Sequence, residues 1–277
     1  MPGSTSSLPR PEVVARLRAA GCVFAEDEAG LLIAAARNPA ELARLVDQRA
    51  AGMPLEQVLG WAEFCGLRIA VEPGVFAPRR RTEFLAGQAI ALACRDRASL
   101  PPVVVDLCCG SGAVAAAVAA ALPGASVHAV DIDPAAVRCA RRNLTAAEGQ
   151  VYQGDLYQPL PPALQGRVDV LIANAPYVPT AEVGLLPAEA RSYEPRTALD
   201  GGEDGLAILR RVAAAAPRWL APGGHLLVET SERQASRMAG IAAGYGLVPR
   251  VARSPDLAAA VSIGCRAGRQ AGGQAGR

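Results

Sequence analysis

The chain has 277 residues, with 28 basic against 26 acidic side chains and a formal net charge of +2. About half of it (51%) is hydrophobic, enough for a sizeable core, which excludes disorder over most of its length. The near-balance of charge excludes a protein that grips nucleic acid mainly through a large positive excess, while leaving a local basic patch open.

Residues 1–10 are Ser/Pro/Gly-rich and read as a flexible start. They contain no apolar run, so no secretory signal is expected. From Pro11 the spacing of Val13, Val14 and Leu17 predicts a helix that Gly21 stops. Ala29–Arg37, Pro39–Ala50 and Pro54–Leu59 follow as further helices, giving a small helical domain over residues 11–62. In the linker 63–81, Leu67, Ile69 and Val71 alternate with Arg68, Ala70 and Glu72, which predicts a strand and hairpin arm before a Pro73-Gly74 turn. A helix is expected over Thr82–Cys94, with Thr82 as its N-cap.

From Pro102 short apolar runs alternate with helical segments. VVVDL, SVHAVDI, VYQGD, VDVLIAN and GGHLLVET read as strands, and AVAAAVAAAL, PAAVRCARRNL and Leu206–Leu220 as helices. This order predicts βαβ units, hence an α/β fold with a mostly parallel sheet over residues 82–266. LVPRVA and LAAAVSIGC are expected to close one sheet edge as an antiparallel pair, before a flexible tail over 267–277. The uncharged stretch Leu107–Val130 is interrupted by Gly110, Ser111, Gly112 and Pro123-Gly124, so it reads as strand, turn and helix rather than a membrane span. The seven Cys lack metal or disulfide-framework spacing and suggest reduced thiols in a cytoplasmic protein.

Four motifs carry chemistry. In VVVDLCCGSGAVA a strand ends near Asp106 and turns through Gly110 and Gly112 into a helix, where backbone N–H groups are available to a ligand. It is not a P-loop, because no Gly-Lys-Ser/Thr follows. In AVDIDP, Asp131 at the next strand end suits a ribose, whereas Asp133 suits a helix cap ahead of Pro134. Asp155 of QGDL follows the third strand and suits an adenine amino group. In IANAPYVP, Asn174 and the Ala175 carbonyl offer two acceptors for the N–H bonds of a primary amide or an amino group, beside Pro176 and the aromatic face of Tyr177. Each motif has a plainer reading as an ordinary strand-end turn.

The DLCCGSG turn, the AVDID acid, the GD pair and the NAPY segment together resemble class I S-adenosyl-L-methionine-dependent methyltransferases. More narrowly, the chain is similar to the HemK-like release-factor glutamine methyltransferases. GMPLEQVLGWAEFCGLRIAVEPGVFAPRRRTEFL (52–85), SYEPRTALDGGEDGL (192–206) and PDLAAAVSIGCR (255–266) also resemble segments of that family. The resemblance implies a Rossmann-like catalytic domain with a seven-stranded sheet and a small N-terminal helical domain. It implies S-adenosyl-L-methionine as cofactor and no metal. Asp106, Cys108, Gly110 and Gly112 would lie against its methionine part, Asp131 and Ile132 against the ribose, and Asp155 and Leu156 against the adenine. Asn174, Ala175, Pro176 and Tyr177 would hold the substrate amide beside the cofactor. The implied reaction is methylation of a protein glutamine in the GGQ loop of a peptide release factor, by a cytoplasmic monomer with no membrane partner. Methylation of exocyclic amines of adenine or cytosine in RNA or DNA is the alternative.

Three departures mark a divergent member. Ala175 replaces the first proline of the usual NPPY. Cys108 replaces the first glycine of the cofactor turn and would be strained at positive φ. Arg79-Arg80-Arg81 replaces a run that normally carries a proline and an acid; it reads as a solvated face, or as a handle for RNA or an acidic partner. The tail tripeptide Gly272-Gly273-Gln274 reads as composition, with automethylation as the alternative. Cys108, Cys109 and Cys139 have no sequence-near His partner and are not expected to act as nucleophiles.

Overall fold

The computed structural model describes residues 8–95 and 101–268; most of the start and the tail expected to be flexible, Gln274 included, lie outside these. Four helices open the chain: α1 (Arg10–Ala19), α2 (Ala25–Ala35), α3 (Pro39–Ala50) and α4 (Leu55–Leu59). α2 begins four residues earlier than expected, because three acidic residues, Glu26, Asp27 and Glu28, fill its first turn and favour the positive end of the helix dipole. Asn38 caps α3 through a bond from the Glu41 N–H to its side chain, with Pro39 at the first helical position. Val13, Leu17, Ala29, Leu32, Leu45, Val46 and Val58 bury one another in a core belonging to these helices alone.

β1 (Trp61–Phe64) and β2 (Leu67–Ala70) form the hairpin whose second arm was expected. α5 (Thr82–Arg95) leads into the main sheet. Then come β3 (Val103–Leu107), α6 (Ala113–Ala121), β4 (Ser126–Asp131), α7 (Pro134–Leu144), β5 (Gln150–Gln153) and β6 (Val168–Ala173). α8 (Ala188–Tyr193), α9 (Ala207–Trp219), β7 (Leu220–Thr230), α10 (Glu232–Gly244), β8 (Leu247–Ser254) and β9 (Ala259–Arg266) complete the described chain.

The seven strands run in the order β5-β4-β3-β6-β7-β9-β8. The first five pair in parallel, and β9 and β8 close the edge antiparallel, as the sequence predicted. Alternate residues of each central strand feed opposite cores. Val104, Val170, Ile172 and Leu227 pack with α5 and α6 on one face. Val105, Leu107, Leu171 and Val228 pack with α9 and α10 on the other. Burial on both faces is why these strands are almost continuously apolar.

α10 was not expected. Its start is written in Ser231-Glu-Arg-Gln234, where the Ser231 side chain and the Gln234 side chain form a capping box. No described helix is long and apolar enough to cross a membrane.

Candidate active site

Parallel strands end on one side of the sheet, and at a switch in strand order their carboxyl ends leave a crevice. β3 is that switch here, since β4 lies on one side of it and β6 on the other. A cavity of about 910 Å³ opens at this point. Asp106, Cys108, Gly110, Asp131, Ile132, Asp155, Leu156, Asn174, Ala175, Pro176 and Tyr177 all line it. Of the residues expected in the site, Gly112 is the one not on its wall. Gly112 caps α6 at φ 76°, and a Cβ there would stand 3.0 Å from the Ala140 Cβ, so its smallness serves helix packing.

The acids are held by backbone. Asp106 Oδ2 accepts the Ala115 N–H at 3.2 Å. Asp131 accepts from Gly110 N at 2.8 Å through Oδ2 and from Asp133 N at 2.9 Å through Oδ1. Asp133 caps α7 through Ala135 N at 2.8 Å, as expected. Asp155 pairs with Arg211, reached across the cavity rim from α9. Ile132 stands beside these acids with 61% of its surface exposed, an apolar flank open to a ligand.

Burial pushes the Asp106 carboxyl up to about 7, and the neighbouring Asp131 charge pushes the same way. Burial raises Asp131 also. Seven carboxyl groups and four arginines line the cavity; among them Asp106, Asp131 and Asp155 suit a ligand carrying positive charge and hydroxyl donors. Cys108 sits at φ 56°, the left-handed region that its replacement of glycine made suspect. Burial and the surrounding acids raise its thiol far above the usual range, and Cys109 likewise, so neither is a thiolate nucleophile.

Asn174 leaves β6 at its carboxyl end, where the Asn174 Nδ2 donates to Thr82 Oγ1 at 3.3 Å. Thr82 is the first residue of α5, and its hydroxyl accepts from Asn174 rather than standing at the N-cap position. The segment that follows is clamped from several sides. Gln234 Nε2 donates to the Tyr177 carbonyl at 2.9 Å, and Arg81 Nη2 donates to the Tyr177 hydroxyl at 2.5 Å. Val178 exchanges backbone bonds with Leu199 and Gly201. A Cβ on Gly201 would lie 2.7 Å from the Pro176 carbonyl oxygen, and one on Gly205 2.2 Å from the Tyr177 carbonyl oxygen. Tyr177 is therefore held at both ends, although Ala175 lacks the ring constraint of a proline.

The arginine run is a solvated face only in part: Arg80 and Arg81 are exposed, yet two of the three arginines are tied to buried acids. Arg79 pairs with the buried Glu194, and Arg81 with the buried Glu229 at 3.2 Å. Burying a carboxylate requires a compensating cation, and these two arginines supply it. Glu229, Gln234 and Arg211 went unassigned in the sequence, and Thr82 and Arg81 were read only as a helix cap and as part of a charged run, because each meets the site from a distant element. Only Gly201 and Gly205, conspicuous in LDGGEDGL, gave a local signal of close backbone approach.

Residues 66–189 match the family model for the methyltransferase small domain. A release factor glutamine methyltransferase of Geobacter sulfurreducens is 42% identical over 74% of this chain and 71% of its own length. One of Moorella thermoacetica is 38% identical over 92% of this chain and 85% of its own, which takes the similarity through the N-terminal helices. A 4-amino-L-phenylalanine/4-methylamino-L-phenylalanine methyltransferase of Streptomyces pristinaespiralis is 39% identical over 68% of this chain and 65% of its own. Identity at this level, extending through the helices and the cavity-bearing sheet alike, shows that the chain belongs to the family of release factor glutamine methyltransferases.

Proposed function

We propose that the chain uses S-adenosyl-L-methionine to methylate the side-chain amide nitrogen of a glutamine in the GGQ loop of a peptide release factor. The observation that carries this reading is a single cavity, with the acids Asp106, Asp131 and Asp155 along one stretch of wall and Asn174 and Ala175 along another. When bound, the cofactor supplies a sulfonium methyl whose transfer leaves the bonding pair on sulfur. Asp131 accepts the ribose hydroxyls beside Ile132, Asp155 accepts the adenine amino group beside Leu156, and the ionised Asp106 faces the methionine end with Cys108 and Gly110.

An amide nitrogen is a weak nucleophile because its lone pair is delocalised. Asn174 Oδ1 and the Ala175 carbonyl each accept one N–H of the substrate, which aims the nitrogen at the methyl carbon. The same two acceptors stabilise the positive charge that builds on nitrogen, and the surplus proton leaves to solvent. Pro176 and Tyr177 wall the amide pocket.

Helices α1–α4, residues 11–62 in the main, recognise the protein substrate. They are tied to the cavity mouth where Gln57 donates to the Tyr193 carbonyl at 3.3 Å and Tyr193 donates to the Ala51 carbonyl at 3.1 Å. The enzyme acts as a cytoplasmic monomer. The pairing of Arg79 and Arg81 with internal carboxylates weakens the feature that favoured an RNA substrate.

The test is methyl transfer from labelled cofactor to purified release factors, with total RNA and 4-amino-phenylalanine as parallel acceptors. Label on the GGQ glutamine that disappears in Asn174→Ala supports the reading. Label confined to RNA or to the amino acid overturns it.

A further inference from the structure

The turn after β3 is conformationally demanding. Cys108, Gly110 and Gly112 all have positive φ, at 56°, 55° and 76°. On one side Asp131 holds it, accepting the Gly110 N–H at 2.8 Å. On the other side it meets α7. Ala140 packs against Gly112, and Asn143, three residues further along the same helix face, donates Nδ2 to the Ser111 carbonyl at 2.8 Å. Ser111 is 3% exposed, so water cannot readily replace that donor.

The same amide grips the hairpin. Asn143 Oδ1 accepts the Ala70 N–H at 2.8 Å, and Nδ2 donates to the Ala70 carbonyl at 2.9 Å. A backbone N–H can only donate and a backbone carbonyl can only accept, so these three bonds fix which end of the amide is which. Ala70 ends β2, and the chain runs on through the Pro73-Gly74 turn to Phe76, Pro78 and Arg79 on the cavity wall. Asn143 and Ala70 themselves are not on that wall.

We infer that Asn143 is a positioning residue, which sets the 110–112 turn against the linker and so fixes the spacing of two walls of the cavity. This rests on the proposed reading of that turn as facing the methionine end of S-adenosyl-L-methionine, and adds to it the side chain that keeps the turn in place. Loss of Asn143 leaves the Ser111 carbonyl buried without its donor. It also frees a turn whose left-handed Cys108 is costly to hold and persists only where its surroundings over-determine it.

The variants are Asn143→Ala, which removes both ties, and Cys139→Ala, which removes a separate bond to the Ala70 carbonyl, from Cys139 Sγ at 3.1 Å, and leaves Ser111 alone. Asn143→Ala is expected to raise the cofactor Kd about 10-fold. Its kcat at saturating cofactor and peptide is expected to stay close to wild type, because bound cofactor restores the turn. Cys139→Ala is expected to lower Tm and keep the wild-type Kd. A wild-type Kd in Asn143→Ala, or an equal rise in both variants, overturns the inference and leaves the glutamine methyltransferase reading standing. Should Asn143→Ala not fold, the wild type answers by amide hydrogen exchange. Cofactor binding is expected to slow exchange of the Ala70 N–H, although Ala70 lies outside the cavity, and unchanged exchange there overturns the inference. Asp131→Ala is the control on the underlying reading: wild-type cofactor affinity in that variant removes both the reading of the site and the role of Asn143.

Discussion

The guanidinium of Arg81 donates to the Tyr177 hydroxyl at 2.5 Å and lies 5.8 Å from the centre of the Tyr177 ring, while its Nε holds Glu229. One side chain thus ties the start of α5 to the end of β7 and to the loop after β6. It stands where the resembled family carries an acid, and Tyr177 follows the position where that family carries a second proline.

Replacing Arg81 by Met leaves the Glu229 carboxylate buried without its cation and Tyr177 without its outer anchor. Arg81 is itself 45% exposed, so solvent screening discounts the pair. The expected loss is roughly 1 kcal/mol of stability, seen as a lower Tm, together with a raised KM for peptide. An unchanged KM would show that the loop keeps its place without the clamp.

Asp106 makes cofactor binding depend on pH. In the free protein its carboxyl titrates near 7. A cationic ligand favours the ionised form, so affinity for S-adenosyl-L-methionine is expected to rise with pH through about 7, with a proton released on binding in that range. Titration calorimetry in two buffers of different ionisation enthalpy measures the release, and Asp106→Asn is expected to abolish it. The effect on folding has its own sign. Between the ordinary aspartate value of 3.8 and about 7 the folded chain keeps a proton that the unfolded chain has lost. The Asp106 contribution to stability therefore falls as pH rises across this window.

Gly205 is irreplaceable for two reasons. Its φ is 72°, and a Cβ would sit 2.2 Å from the Tyr177 carbonyl oxygen, against backbone that has nowhere to yield. Gly205→Ala is expected to displace the 174–178 segment and lower kcat by about 100-fold. Gly60 also has positive φ, at 76°, but with open space around its Cβ, and Gly60→Ala is expected to cost only about 1 kcal/mol. Comparable activity in the two variants would mean that the close approach is unimportant.

Much of this was legible in the chain. β3 and β4 are short, largely apolar runs with Asp106 next to the end of one and Asp131 at the end of the other, and a parallel sheet delivers such strand ends to one edge. The cofactor-facing acids and Asn174 could therefore be grouped before the fold was seen. α10 was legible too, through its capping box, and was passed over because its apolar face is mostly small: Ala235, Met238 and Ala242. The pairing of Arg79 and Arg81 with buried acids was not legible, for a physical reason. Charge next to charge in sequence looks solvated, and the buried Glu194 and Glu229 that absorb it lie more than 100 residues away.

The sequence by itself determined the layered α/β architecture, the strand ends and the residues able to meet a cofactor and an amide, because hydrophobic period and turn chemistry are local properties. Tertiary structure alone decided which way those residues act. It gave Arg79 and Arg81 their buried carboxylates, placed Gly205 against Tyr177, and brought Thr82 to Asn174, since each of these partners comes from a distant part of the chain.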